Sequence, residues 1–238
     1  MKNVKSRPAL IVFCREPIAH HVKTRLIGAI TAEAAAALSD AFIRDVLAKA
    51  VSIRPSRIVI AASAPDGARS KYFQRLARRF DADLVDQGSG SLGKRMARAL
   101  EPISSKGALL IGTDTPSLPT ELLASSLDAL RRHRVVIAPS LDGGYYALGV
   151  RGSKMPPIFT AIRWGTRSVF DSTVKRLKRA GIPYALGPAW YDVDRWADVL
   201  LLAAHLRLLA RSRRRTNASP CPATESVLVR LGVLRHDR

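Results

Sequence analysis

The chain has 238 residues, of which 47% are hydrophobic and 6% aromatic, and its formal net charge is +20. That length and apolar content suit one α/β domain, alone or with an appendage, and exclude global disorder. No window approaches the roughly 18 apolar residues that a membrane-spanning helix needs.

Read in chain order, the first element is the continuous apolar run Ala9–Cys14, as expected of a strand covered on both faces. It is too short for a signal-peptide core and lacks a small-residue cleavage site, so a cytoplasmic protein is the expectation. Thr31 is placed to cap a helix running to about Ala50, with Leu38, Phe42, Val46 and Leu47 at helical spacing. A strand at Arg57–Ala62, a helix at Ala68–Phe80 and a short strand at Asp83–Val85 follow. The polar loop Asp86–Ser91 leads into a helix at Leu92–Leu100, then a strand at Ala108–Ile111. The next helix starts at Pro119 and runs to about Arg132, and Val135–Ala138 is another strand. After the turn signal Asp142-Gly143-Gly144, a strand at Tyr145–Val150 comes too soon for a crossover, so an antiparallel member is expected. A helix at Thr166–Ala180, a strand at Tyr184–Leu186 and a Leu-rich helix from Asp194 to about Ala210 complete the pattern. The alternation predicts an α/β fold with a mixed, mostly parallel sheet and helices on both faces. Residues 1–210 are expected to form one domain, and 211–238 a basic linker with a short C-terminal helix.

Two cysteines, Cys14 and Cys221, sit at opposite ends, and five histidines show no ligand spacing. A disulfide framework and a histidine-based metal cluster are therefore not expected. The positive charge is spread. The tail holds seven Arg against one Glu and one Asp, and further cations lie on helix faces, as at Arg75, Arg78, Arg79 and Lys175, Arg176, Lys178, Arg179. The basic stretches lack interleaved aromatics and any nucleic-acid-binding pattern, so nucleic acid is not the expected main partner.

Ligands of open α/β sheets bind outside the carboxyl ends of the strands, and four polar stretches fall at that edge. In CREPIAHHVKTRL (14–26), Lys23, Thr24 and Arg25 set two cations and a hydroxyl beside a strand end, chemistry that suits phosphate, although no P-loop pattern is present. In DQGSGSLGKRM (86–96), glycines allow close approach of a ring or ribose. The Leu92 and Gly93 amides there open a helix, which suits an anion. In GTDTPSL (112–118), Asp114 ends a central strand, where an unpaired buried carboxylate would be costly; Mg²⁺, which takes one or two carboxylates plus phosphate oxygens and water, offers a partner. Capping of the next helix by Ser117 or Asp114 is the structural alternative. LDGGYY (141–146) sets Asp142 in a glycine turn. In YDVDRW (191–196), Asp192 and Asp194 face the same way if extended, one to complete a metal shell and the other to cap the helix at Arg195.

These stretches resemble, in order, the motifs of a bacterial family of GT-A-type transferases long filed as a domain of unknown function, within the nucleotide-diphospho-sugar transferase superfamily. That family's pattern is K-x-P-x-P-G-x-V-K-T-R-L, Q-G-x-G-D-L-G-E-R-M, G-T-D-C-P-x-L, D-G-G-Y-Y-x-x-G, W-G-T and a late D-x-D. Here they stand as REPIAHHVKTRL, QGSGSLGKRM, GTDTPSL, DGGYYALGV, WGT and DVD, spanning about Ala9 to Leu209. The resemblance implies a GT-A-like three-layer fold. It implies nucleotide contacts from Arg15, Lys23, Arg25, Gln87, Gly88, Leu92, Gly93 and Thr113. It implies a divalent metal, Mg²⁺ or Mn²⁺, on Asp114 with Asp194 or Asp192, and an acceptor side at Gly143, Gly144, Tyr145 and Trp164. The chain departs from the pattern at Arg15 for lysine, at Ala19-His20-His21 for the turn, and at Ser91 and Lys94 for two acids, which removes two negative charges beside the implied nucleotide.

The expected function is metal-dependent transfer from a nucleotide-activated donor to an acceptor that the sequence does not identify, glycosyl transfer foremost. Lys23 and Arg25 would stabilise the leaving diphosphate and Asp142 would act as base. The alternatives are a nucleotidyltransferase, which releases pyrophosphate and needs no base, and a non-catalytic basic module that binds RNA or membrane.

Overall fold

The structure, a computed structural model, describes residues 7–212 and 219–235. Seven strands, β1 (Ala9–Arg15), β2 (Ile58–Ser63), β3 (Asp83–Asp86), β4 (Ala108–Ile111), β5 (Val135–Pro139), β6 (Tyr145–Val150) and β7 (Tyr184–Leu186), form one sheet in the order β3-β2-β1-β4-β6-β5-β7. All pairs are parallel except those of β6, which runs antiparallel to β4 and β5, as the early return after the glycine turn predicts.

The helices are α1 (Ala32–Ser52), α2 (Lys71–Phe80), α3 (Leu92–Leu100), α4 (Thr120–Ala129), α5 (Val169–Arg179), α6 (Trp196–Ser212) and α7 (Pro222–Arg230). The Thr31 hydroxyl caps α1, accepting from the Ala34 amide at 3.2 Å. The predicted helix at 68–80 is divided: a 3₁₀ turn, Gly67–Arg69, precedes α2, because Ser70 between them has ψ 126°. The chain after Ala129 tightens into three-residue turns, Arg131 N to Asp128 O and Arg132 N to Ala129 O, so α4 ends before the predicted Arg132. The Asp194 side chain does not cap α6. Asp198 takes that role, its Oδ2 accepting from the amides of Asp194 at 3.0 Å and Arg195 at 2.7 Å. The predicted linker segment 213–218 lies outside the described residues.

Strand alternation sorts the core. Leu10, Val12 and Cys14 face α1, α2 and α4, while Ala9 and Ile11 face α3 and α5. The other flank of α1, with Leu38, Ala41 and Phe42, packs against α6 and α7 through Val199, Leu202, Leu206, Val227 and Leu228. That double burial explains why α1 is Ala-rich and carries apolar residues on more than one flank. It also assigns the inner face of the Leu-rich helix to the domain itself. The buried Asp45 of α1 caps α7, accepting from the amides of Ala223 at 3.0 Å and Thr224 at 2.8 Å. One turn on, Lys49 donates to the Pro116 carbonyl and so ties α1 to the loop that follows β4.

Candidate active site

The registers open a cleft at the centre of the sheet. β4 pairs with β1 only as far as Ile111 opposite Val12, while β1 runs on to Arg15 beside β2. The chain beyond Ile111 turns away, so Phe13, Cys14 and Arg15 face Gly112, Thr113 and Asp114 across a gap. This is also where the chain order reverses direction in the sheet, between β1 and β4. The gap widens into a cavity of about 450 Å³, lined also by His21, Lys23, Thr24, Arg25, Gln87, Leu92, Arg95 and Asp194.

Lys23 is the hub. It sits just before the 3₁₀ turn Thr24–Leu26 in the left-handed region at φ 46°, a conformation that non-glycine residues adopt at a cost. Its ammonium lies 2.5 Å from Asp114 Oδ1 and 2.9 Å from Asp194 Oδ1, and donates to the Val193 carbonyl at 2.7 Å. The side chain is 7% exposed, and its ammonium also lies 5.3 Å from the centre of the Phe42 ring. Burial alone would lower its pKa, but Asp114 and Asp194 more than offset this and raise it, so the ammonium stays charged. Arg25 approaches the second oxygen of Asp194 at 3.5 Å. The two carboxylates meet because the Val193 amide donates to the Asp114 carbonyl at 2.8 Å, fastening the 191–194 segment to the end of β4.

Capping by Ser117, the structural alternative for this loop, does not occur. The Ser117 hydroxyl donates to the Tyr191 hydroxyl at 2.8 Å and accepts from Trp190 Nε1 at 3.2 Å, and Tyr191 meets His205 Nδ1 at 2.7 Å. The chain of polar contacts holds the two acid-bearing segments together.

Asp192 is half-buried beside this group. Its pKa is pushed up to about 7, by burial first and then by Asp142, Asp114 and Asp194, against a lowering contribution from Ser140. Asp142 Oδ1 accepts from the Gly144 amide at 2.8 Å and the Ser140 hydroxyl at 2.5 Å, so that oxygen serves the turn. Gly143, at φ 91°, passes so close to the next segment that a Cβ would lie 2.2 Å from the Arg167 carbonyl oxygen.

Gln87 is buried at the floor of the cavity with both ends of its amide engaged. Nε2 donates to the carbonyls of Cys14 at 3.0 Å and Ala61 at 2.7 Å, and Oε1 accepts from Arg95. It braces the carboxyl ends of β1 and β2. Gly88, at φ 66°, leaves room for Arg98, whose Nη would lie 2.3 Å from a Cβ there. Ser91 caps α3, bringing Leu92 to the cavity wall and packing Gly93 against Trp164 and the Phe159 carbonyl.

The structure therefore gathers Arg15, Lys23, Arg25, Gln87, Leu92, Thr113, Asp114 and Asp194 around one cavity. Gly88 and Gly93 adjoin it, and Asp192 and Asp142 lie to one side. Tyr145 and Trp164 are not on its lining: they pack edge to face, centroids 6.3 Å apart, against the cluster under β1 and β6. Arg95 lines the cavity without having been singled out in the sequence. The signal was its place one turn into a helix that opens on a glycine loop, among several other arginines.

A divalent cation can be tested against these groups. Among the described residues, no three His, Cys, Asp or Glu side chains gather closely enough to hold one alone. Asp114 and Asp194, within reach of one ammonium, match the way Mg²⁺ is bound by one or two carboxylates with the shell completed by substrate oxygens and water. The donor set fits such an ion once substrate is present.

Set beside known proteins, residues 46–166 match the family described as "Uncharacterized protein conserved in bacteria (DUF2064)". The chain belongs to that family. No curated protein matches the sequence. Among solved structures, a protein from Desulfovibrio desulfuricans G20, provisionally assigned as a nucleotide-diphospho-sugar transferase, is 27% identical with a TM-score of 0.79, over 94% of this chain and 95% of that one. A cytidylyltransferase from Leptospira borgpetersenii serovar Hardjo-bovis is 10% identical with a TM-score of 0.56, over 98% of each. Glucosyl-3-phosphoglycerate synthase from Mycobacterium tuberculosis, solved with Mn²⁺, uridine diphosphate and glucosyl-3-phosphoglycerate, is 12% identical with a TM-score of 0.51, over 92% of this chain and 82% of that one. The fold is that of the nucleotide-diphospho-sugar transferases and cytidylyltransferases, and an enzyme of the transferase class is the reading these likenesses support. Among the described residues no helix is long and apolar enough to cross a membrane.

Proposed function

We propose that this protein is a metal-dependent transferase that moves a sugar from a nucleotide-diphospho-sugar to an acceptor hydroxyl. The observation that carries the proposal is the Lys23–Asp114–Asp194 cluster at the edge of the central cavity. Asp114 and Asp194 would hold Mg²⁺ or Mn²⁺, which when bound neutralises charge on a diphosphate leaving group. Lys23 and Arg25 would turn from the carboxylates to the phosphate oxygens and hold the charge that develops there. The amides of Leu92 and Gly93, at the start of α3, suit a further phosphate or ribose oxygen. Gln87 acts through the backbone it braces and Gly88 by giving Arg98 its room, while Thr113 would offer its hydroxyl from the cavity wall. Asp142 is the proposed base, with Oδ2 for the acceptor proton and Oδ1 kept in the turn. Gly143 and Gly144 would border the acceptor, and Tyr145 and Trp164 would support that side from beneath.

Nucleotidyl transfer to a phosphorylated small molecule is the second reading. The specific observation in its favour is that Arg15, Lys23, Arg25 and Arg95 all line one cavity, a density of cations that suits a triphosphate, and its nucleophile is already ionised. A thermal-shift screen of sugar nucleotides and nucleoside triphosphates, with and without Mg²⁺ or Mn²⁺, tests both. By linkage a ligand at about 100 times its Kd adds roughly 2.7 kcal/mol. Release of a nucleoside diphosphate supports glycosyl transfer, and release of pyrophosphate supports the second reading. RNA binding that survives Asp114→Ala, without metal-dependent nucleotide binding, would favour a non-catalytic module over both.

A further inference from the structure

A second cavity, of about 830 Å³, opens at the amino edge of the sheet. There β1 and β4 begin, with Ala9 beside Ala108, and β6 ends, with Val150 on the other side of Ala108. β1 has seven residues, so at about 3.3 Å per residue roughly 20 Å of strand separates this cavity from the central one at the carboxyl edge. The two cavities share no residue, and among the described residues no Asp or Glu lines the second. Its cations are Arg7, Arg57, Lys106, Arg131 and Arg151, brought together from five separate segments of the chain.

Two of these charges are answered by acids. Arg7 pairs with Asp128, Nε to Oδ1 at 3.1 Å and Nη2 to Oδ2 at 2.8 Å, and Arg57 pairs with Asp83. Lys106 and Arg131 are exposed and have no carboxylate partner among the described residues. Arg151 donates to the carbonyls of Leu130 and Arg131. The carbonyl end of α4 attracts Arg131 and Arg151, but Lys106 arrives from a different element, the 3₁₀ turn Glu101–Lys106. Three like charges brought to one concave place repel each other, and an anion between them relieves that repulsion.

The walls are fixed. The carbonyl of buried Ser104 accepts from the amides of Gly107 and Gly152, both at 2.9 Å, and its hydroxyl donates to the Gly152 carbonyl at 3.0 Å. These bonds tie the turn that carries Lys106 to the chain that carries Arg151. Ser56 and Ser105 add hydroxyl donors, and Pro8, Pro102 and Ile103 an apolar wall. Guanidinium, ammonium and hydroxyl donors suit phosphate oxygens, and the volume is that of sites for molecules of nucleotide size.

We propose that this cavity is a second ligand site, which binds a small polyphosphate anion, inorganic or carried by a nucleotide, through Lys106, Arg131 and Arg151. The site does not depend on what the central cavity transfers.

Isothermal titration of the full chain in EDTA, with inorganic tripolyphosphate and ATP as probes, tests it. Without a divalent cation the Lys23 ammonium stays with Asp114 and Asp194, which leaves the second site to bind the probes. Lys106→Glu and Arg131→Glu are each expected to weaken tripolyphosphate binding about tenfold or more. Lys175→Glu, an equal charge change on the exposed side of α5, should alter it less than about twofold at about 0.15 M salt. ATP binding more tightly than tripolyphosphate identifies a nucleotide as the ligand, its ring on the apolar wall. Equal or weaker ATP binding identifies the polyphosphate chain itself. In amide NMR spectra, tripolyphosphate should shift Ser105, Lys106, Gly107 and Gly152. Shifts confined to Lys23 and Gly112–Asp114 would place the anion in the central cavity and overturn the proposal. Failure of both probes to bind, or wild-type binding by both cavity variants, would overturn it too. So would equal losses in Lys106→Glu and Lys175→Glu, the sign of a diffuse surface charge of the kind that attracts RNA. The three substituted residues are exposed, so the variants should keep the wild-type Tm; if Arg131→Glu lowers it, Lys106→Glu carries the test.

Discussion

The Lys23 ammonium stands between two carboxylates, 2.5 Å from Asp114 Oδ1 and 2.9 Å from Asp194 Oδ1, and spends its third donor on the Val193 carbonyl at 2.7 Å. An ammonium has three donors, so none is left for a phosphate until one of these bonds is exchanged. A divalent cation approaching the acids alone meets this fixed positive charge. Metal and nucleotide are therefore expected to bind cooperatively, each strengthening the other by the same factor. Lys23→Met should bind Mn²⁺ without nucleotide about tenfold or more tightly than wild type and should lose the coupling, as read from the free-Mn²⁺ signal in electron paramagnetic resonance. Equal Mn²⁺ affinity in wild type with and without UDP would contradict this.

Asp114→Asn and Asp194→Asn each remove one side of the clamp. Both should abolish the metal-dependent part of any nucleotide-induced thermal shift, and each should lower turnover by about a hundredfold or more if charge stabilisation by the bound cation drives the reaction. Wild-type turnover in Asp114→Asn would remove the basis of the proposed function.

Asp192 should make stability depend on pH. Its folded pKa, about 7, lies above the ordinary aspartate value, so between about pH 4 and 7 the folded state keeps a proton that the unfolded state has released. Stability is then lost as pH rises through that window. Asp192→Asn should flatten the profile and gain roughly 1–2 kcal/mol over wild type at pH 8 relative to pH 4, after allowance for solvent screening. Urea unfolding in the presence of EDTA measures it, and an unchanged slope would show that Asp192 is better solvated than its neighbours imply.

Gly143→Ala combines a left-handed backbone, φ 91°, with a Cβ 2.2 Å from the Arg167 carbonyl oxygen, and Gly93→Ala sets a Cβ 2.3 Å from the Phe159 carbonyl oxygen. Each should destabilise by about 2–3 kcal/mol, visible as a lowered Tm. Gly28→Ala, at φ 107° but with nothing within 4 Å, isolates the backbone cost and should lose only about 1 kcal/mol.

Asp45→Ala should uncap α7 and leave the buried Lys49 without its nearby carboxylate, at a combined cost of about 2–4 kcal/mol in denaturant unfolding. A loss below about 0.5 kcal/mol would mean that α7 contributes little to the fold.

Much of this was legible because it is local. A continuous apolar run marks a strand covered on both faces, and Ala108–Ile111, Tyr145–Val150 and Tyr184–Leu186 begin and end where their composition changes. The glycine turn at 142–144 foretold the antiparallel β6. Asp114, placed where a buried strand breaks off, could be recognised as a residue in need of a cationic partner. The choice of Asp198 over Asp194 as the cap of α6 was less accessible: both are aspartates, and the distant Lys23 and Arg25 draw Asp194 away.

By itself, the sequence determined the alternation of elements, the acid at the end of β4 and the cations of the first loop, because periodicity and turn chemistry act over a few residues. Only the tertiary structure decided that Lys23 is held between Asp114 and Asp194, that Tyr145 and Trp164 turn into the packing, that Arg95 joins Arg15 at the cavity, and that α7 closes over α1. Those outcomes depend on contacts between segments as far as 179 residues apart, as between Asp45 and Thr224. At such separations, sheet register and helix packing choose the partners, and local pattern carries no record of that choice.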